Sequence, residues 1–199
     1  MTVKINADTS DGLKFVSDTS GAIDLQSNGT TNASLDANGN FTHKGIEVDM
    51  FRLTADTSGG TNADLTANLE RCDTDGFAKI GTGMSESSGI FTFPRTGVYE
   101  VKVHAMIDSR DGDGTAILAT HVTTDNSSYN ASADACGGDD AGTNGVQVTA
   151  YSQCFVNVTD TSQVKVKFVT SSMGSNSFLR GNSDKNETSF SFIRLGDSQ

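Results

Sequence analysis

Residues 88–99 read Ser88-Gly89-Ile90-Phe91-Thr92-Phe93-Pro94-Arg95-Thr96-Gly97-Val98-Tyr99, and this stretch decides the fold. Phe91 and Phe93 are two residues apart and leave a strand on the same face. Pro94 has no N–H to offer a neighbouring strand, so it ends the run. Thr96-Gly97 turns the chain, and Tyr99 opens the returning strand with its ring directed inward. The pattern reads as an aromatic-rich β-hairpin.

The same period of two continues on both sides. Tyr99, Val101, Val103, Ala105 and Ile107 share one face, while Glu100, Lys102, His104 and Met106 share the other. Further strands are expected at Phe51–Leu53, at Thr115–Thr123, over the long run Val146–Val158, and at Val164–Phe168, where Lys165 and Lys167 point outward. The last, Ser189–Leu195, places Phe190 and Phe192 on one face and Ile193 and Leu195 on the other. A strand apolar on both faces is covered on both sides, within a sandwich or at a subunit contact. Phe51, Phe91, Phe93, Tyr99, Phe155, Phe168, Phe190 and Phe192 are therefore read as core or subunit contacts. Tyr129 and Tyr151 are read as exposed. With 21 Gly, one Pro, no Trp and no long runs of helix formers, the chain is expected to be all-β.

Upstream lies a different periodicity. Four apolar pairs, Val3/Ile5, Leu13/Phe15, Ile23/Leu25 and Ala33/Leu35, recur every ten residues, with Asp, Asn, Ser, Thr and Gly between them. Each repeat is one short strand and one turn. Two apolar side chains do not offset the roughly 1–2 kcal/mol per residue that ordering the backbone costs. Such repeats gain stability by stacking on copies of themselves or on a partner. The phase is lost at His43-Lys44-Gly45, giving two expected domains, an arm over 1–45 and a larger domain over 46–199. The apolar residues of the arm, Val3, Ile5, Leu13, Phe15, Ile23, Leu25 and Leu35, are its candidate anchor.

Twenty-five acidic against 14 basic residues leave a net charge of −11, with no basic cluster to reverse it locally. Such a surface repels phosphate backbones and anionic lipid, so neither nucleic acid nor membrane is expected as a partner. Met1–Ser10 has no apolar core of a secretory leader, and no apolar run approaches the roughly 20 residues of a bilayer span. The three cysteines, Cys72, Cys136 and Cys154, show no CxxC spacing and are expected as free thiols, a Cys72–Cys136 bridge being the less favoured alternative.

Residues 88–99 also resemble the globular-head domain of complement and tumour-necrosis-factor-like proteins, a jelly roll. That family reads approximately Gly-x-Phe-x-x-Pro-x-x-Gly-x-Tyr here, matched by Phe91, Pro94, Gly97 and Tyr99. It closes on a Phe-rich strand, matched by Ser189–Leu195. The resemblance covers about residues 50–196. No collagen-like triplet occurs, and the decad arm stands in its place. That combination, with the run Gly81-Thr82-Gly83-Met84, is similar to virion proteins of tailed bacteriophages, marine ones in particular. The resemblance implies a homotrimeric jelly roll whose arm docks onto capsid or tail proteins, with decoration of the head favoured over a tail position. The alternative is a tail-fibre or receptor-binding adhesin that touches a host surface glycan through the loops at 108–114 and 134–145.

No enzyme is expected: Gly-x-Ser-x-Gly, P-loop, dinucleotide and His-Glu-x-x-His motifs are all missing, and His43, His104 and His121 single out no nucleophile. No cofactor is expected either. Calcium is the one candidate ion, at Asp108, Asp111 and Asp113 or at Asp134, Asp139 and Asp140. Neither set has the spacing of a twelve-residue calcium loop, and solvated turns are favoured.

Overall fold

A computed structural model describes residues 22–58, 60, 62–110, 113–138 and 145–199. The chain divides into two compact units, 1–45 and 46–199. Among the described residues every regular element is a β-strand.

In the first unit, β1 (Ile23–Ser27), β2 (Thr30–Leu35) and β3 (Phe41–His43) form an antiparallel three-stranded meander. Asn28-Gly29 makes the first turn, with positive φ at both residues, as a two-residue hairpin loop requires. The second is closed by Asp36, whose carboxylate accepts from the N–H groups of Asn38 and Asn40 and from the Asn40 amide. Those bonds, the Asn40 side chain first, hold the Asp36 carboxyl below the usual carboxylate range. The pairs Val3/Ile5 and Leu13/Phe15 lie outside the described residues.

The second unit is a jelly-roll sandwich of two antiparallel sheets. Its first half holds β4 (Val48–Leu53), β5 (Thr57–Ser58), β6 (Ala63–Asp64), β7 (Leu69–Arg71), β8 (Ser85–Ser87) and β9 (Ile90–Thr92). Then follow β10 (Gly97–Ser109), β11 (Ala116–Thr123), β12 (Asn130–Gly137), β13 (Val146–Val158), β14 (Lys165–Ser171), β15 (Phe178–Leu179) and β16 (Ser189–Gly196). Strand β10 is the spine of the first sheet. Strand β13 pairs with it from Gly97 to Ser109, so β16 and β15 share its other edge. Strand β4 lies beyond β16 and β7 beyond β4, while β5 follows β15. The second sheet runs β12-β11-β14-β9-β8, with β6 also on β14.

Aromatic rings from both sheets fill the space between them. Phe91 on β9 lies 5.1 Å from the Phe51 ring, 5.4 Å from Phe168 and 5.2 Å from Phe192, centroid to centroid. Phe168 stacks on Phe190 at 4.0 Å, and Phe93 packs on Tyr99 at 4.6 Å. Phe91, Phe93, Tyr99, Phe190 and Phe192 are all fully or almost fully buried, as are Val101, Val103, Ala105 and Ile107 beside them. Each ring at an edge-to-face or offset distance adds about 0.5–1.5 kcal/mol to its area burial.

The expected hairpin at 91–99 does not form. Strand β9 pairs with β8 and β14 in the second sheet, whereas β10 belongs to the first. The true hairpin is β8–β9, turning on Ser88 and Gly89 with φ of 52° and 83°. A Cβ on Gly89 would stand 2.0 Å from the Leu65 carbonyl oxygen, so only glycine fits. Pro94-Arg95-Thr96 is instead the corner where the chain crosses between sheets. The Tyr99 hydroxyl closes it by donating to the Arg95 carbonyl at 3.0 Å. That Pro94 ends the strand is a local property; the choice of pairing partner is not local, and the turn of the hairpin moved with it to Ser88-Gly89.

Candidate assembly surface

Alternation along β4 carries a surprise. The apolar positions Ile46, Val48 and Met50 point away from the core, and Glu47 and Asp49 point into it, each only 2% exposed. The carboxylates are held by groups distant in sequence. Asp49 accepts three hydrogen bonds from the Arg71 guanidinium at 2.9, 3.2 and 3.0 Å, and another from the Met84 N–H at 2.7 Å. Glu47 pairs with Arg95 at 2.8 Å and accepts from the Gly83 N–H at 3.0 Å. Burying a carboxylate is tolerable only with this degree of pairing. The run Gly81-Thr82-Gly83 is glycine-rich for a steric reason: a Cβ on Gly83 would sit 2.6 Å from an Asp49 oxygen, and one on Gly81 2.3 Å from a Glu47 oxygen. Glu47, Asp49, Arg71 and Arg95 carried no signal in the sequence, because acids in alternation with apolar residues read as the outward face.

The consequence is an outer sheet face with apolar side chains left in water. Side by side across it lie Val48, Ile193, Glu100 and Phe155, then Met50, Ser191, Lys102 and Gln153, then Arg52, Ser189, His104 and Tyr151. Tyr151 is 71% exposed, Phe155 62% and Leu195 57%. The expectation that Phe155 is a core or subunit residue is narrowed: the core is excluded, since it sits on the outward register of β13. The Tyr151 ring stacks on His104 at 4.8 Å and 8°. Partial burial pushes the His104 imidazole below its ordinary pKa. Glu100 and Lys102 neutralise each other at 3.0 Å. Between Met50, His104, Tyr151, Asn186 and Ser189 is a shallow groove of about 320 Å³. Arg52, on the same face, is covered and fully buried, bonded to Glu70, Asp73 and Thr74.

In the first unit, Ile23 stands opposite Leu35 and Leu25 opposite Ala33, with Leu35 in turn opposite Phe41. These side chains share one face of the meander, where Leu25, Leu35 and Phe41 are exposed.

The described part of the first acidic loop is less open than expected, whereas Asp134, at the start of the second, is exposed. Asp108 is buried at the end of β10; hydrogen bonds from Arg110 hold its carboxyl below the ordinary range, with Gln147 assisting. Asp113 accepts from the Gly174 N–H at 2.6 Å and from the Ser177 hydroxyl. Asp111, Asp139 and Asp140 lie outside the described residues, among which no three His, Cys, Asp or Glu side chains gather as metal ligands. Tyr129, expected as an exposed platform, is half-buried, with the Lys167 ammonium 4.8 Å above its ring. Cys72, Cys136 and Cys154 are free thiols. No helix among the described residues is long and apolar enough to cross a membrane.

No protein-family model matches the sequence, and no curated protein matches it. Solved structures do. The chain is similar to the Eiger TNF of S. frugiperda, with a TM-score of 0.58 and 13% identity over 77% of this chain and 95% of that one. It is likewise similar to murine APRIL, with a TM-score of 0.51 and 12% identity over 75% of this chain and 99% of that one. The domain has a tumour-necrosis-factor-like jelly-roll fold. At such identities the likeness is one of fold. PRD1 vertex protein P5 also aligns, at a TM-score of 0.35, too low to bear on the reading.

Proposed function

We propose that this chain is a homotrimeric structural protein of a phage particle, with the jelly roll as its displayed head and the N-terminal arm as its attachment. Its role is mechanical rather than catalytic, and its site is the virion, on the capsid head in preference to the tail. The observation that carries the reading is the outer face of the first sheet. There Ile46, Val48, Met50, Tyr151, Phe155 and Leu195 face outward while two carboxylates are turned into the core to make room for them. Charge-poor faces with exposed aromatic rings mark association surfaces. On a chain of net charge −11, this face is neutralised internally by the Glu100–Lys102 pair, so copies meet there without repulsion. The fold likeness supports self-association through the jelly roll, and the resemblance of the decad arm, taken with residues 81–84 and 88–94, to virion proteins supports the particle. The decad repeat of apolar pairs, which one chain does not bury alone, supports attachment by the arm.

Light scattering on the purified chain is expected to return the mass of three copies. Deleting residues 1–45 should leave the three-copy stoichiometry unchanged, at the correspondingly smaller mass, and abolish incorporation into particles. A monomer, or a truncated chain that still joins the particle, overturns the proposal.

A further inference from the structure

We infer that the apolar face of β1–β3 is covered by the same face of the other copies in the trimer, so that the arms close on one another as a stalk. This rests on the trimeric reading above and goes beyond it by naming the occupant. If it holds, contact with the particle falls to other parts of the arm, where Val3/Ile5 and Leu13/Phe15 repeat the pattern.

The meander is two-sided. On one side Thr31 Oγ1 accepts from Gln26 Nε2 at 3.2 Å and donates to Asp24 Oδ2 at 3.1 Å, and the Ser34 and Thr42 hydroxyls share a bond of 2.8 Å. That face satisfies its own polar groups and is suited to water. The other carries Ile23, Leu25, Ala33, Leu35 and Phe41 in register, with His43 opposite Ala33 at its rim; Leu25 is 49%, Leu35 37% and Phe41 62% exposed. Three strands with one apolar face are near the lower limit of a stable sheet, and covering that face removes its apolar area from water.

Charge selects the occupant. Asp24 lies on the polar side and Asp36 is spent in its turn, so the apolar face carries no carboxylate. Two copies of a chain of net charge −11 repel almost everywhere; here they do not. A second copy supplies a carboxylate-free face of the same length, register and stoichiometry. Tethering to associated heads raises the arms' effective concentration to the millimolar range, which makes a modest face sufficient.

The test uses the full chain with Cys136→Ser, so that the exposed native thiol is removed. Leu25→Cys on the apolar face and Ser34→Cys on the polar face are each treated with a short bismaleimide, and the mass of each variant is measured. The expected result is a trimer mass for both and crosslinking of Leu25→Cys at least ten times faster than Ser34→Cys, independent of protein concentration. Because a cysteine could itself loosen the arm, Leu25→Asp/Leu35→Asp is digested in parallel, with cleavage inside 22–45 expected to accelerate at least tenfold. Trimers whose two cysteines react alike, or an aspartate variant that is cut no faster, overturn the arm pairing and leave the trimer standing. A monomer mass overturns both.

Discussion

Replacing Tyr151 and Phe155 together by serine removes the two most prominent rings of the proposed subunit contact without touching the core. Both sit on the outward register of β13, 71% and 62% exposed, while their strand neighbours Ala150 and Val156 are buried. An aromatic side chain carries roughly 150–250 Å². Covering the exposed share of each ring at about 25 cal/mol per Å² is worth roughly 2–4 kcal/mol. Association costs absorb part of this, so the double variant is expected to weaken assembly by about 3–6 kcal/mol, a factor of roughly 10² to 10⁴ in dissociation constant. Sedimentation velocity from nanomolar to tens of micromolar concentration reads that shift directly. Unfolding by denaturant at a concentration where both proteins are monomeric should differ by less than about 0.5 kcal/mol, as for other solvent-facing changes. A double variant that assembles as tightly as the parent would remove this face from the contact. One that loses its fold would show that the rings are structural.

Phe91→Ala deletes the ring on which Phe51, Phe168 and Phe192 converge, and a cost of about 3–5 kcal/mol is expected in denaturant unfolding; a change under about 1 kcal/mol would contradict the packed core. Tyr99 gives a pH signature. Burial, with Glu47 nearby, pushes its phenol up to about 12 from 10.0. The folded state therefore keeps the proton after the unfolded chain begins to lose it. The stability this contributes is fully present below pH 10 and is lost as pH rises from about 10 to 12, at no more than about 1.4 kcal/mol per unit. Tyr99→Phe should cost about 1–2 kcal/mol at pH 8 by leaving the Arg95 carbonyl without its hydroxyl donor. The gap between the two proteins should close by pH 12, and a gap that widens there would be inconsistent with a protonated phenol.

Much of the domain was legible because strand alternation is a local property. Tyr99, Val101, Val103, Ala105 and Ile107 read as one buried face and are one, and Phe190 and Phe192 behave likewise. The turn residues Asn28-Gly29 were equally transparent, whereas the local pattern placed a turn at Thr96-Gly97 and not at Ser88-Gly89, also at positive φ, where the hairpin turns. A period of two names the two faces of a strand; it does not say which is inside when both carry bulk.

The sequence by itself determined an all-β chain, the inward rings of its jelly roll, and an arm whose apolar pairs recur every ten residues. Tertiary structure alone decided that residues 91–99 cross between sheets instead of folding back, since pairing partners are chosen among strands dozens of residues away. It alone turned Glu47 and Asp49 inward. The compensating groups, the guanidinium groups of Arg71 and Arg95 and the N–H groups of Gly83 and Met84, arrive from 22 to 48 positions away, beyond the reach of any local pattern. With the acids satisfied inside, Val48 and Met50 are released to the outer face, and the surface proposed for assembly follows from that inversion.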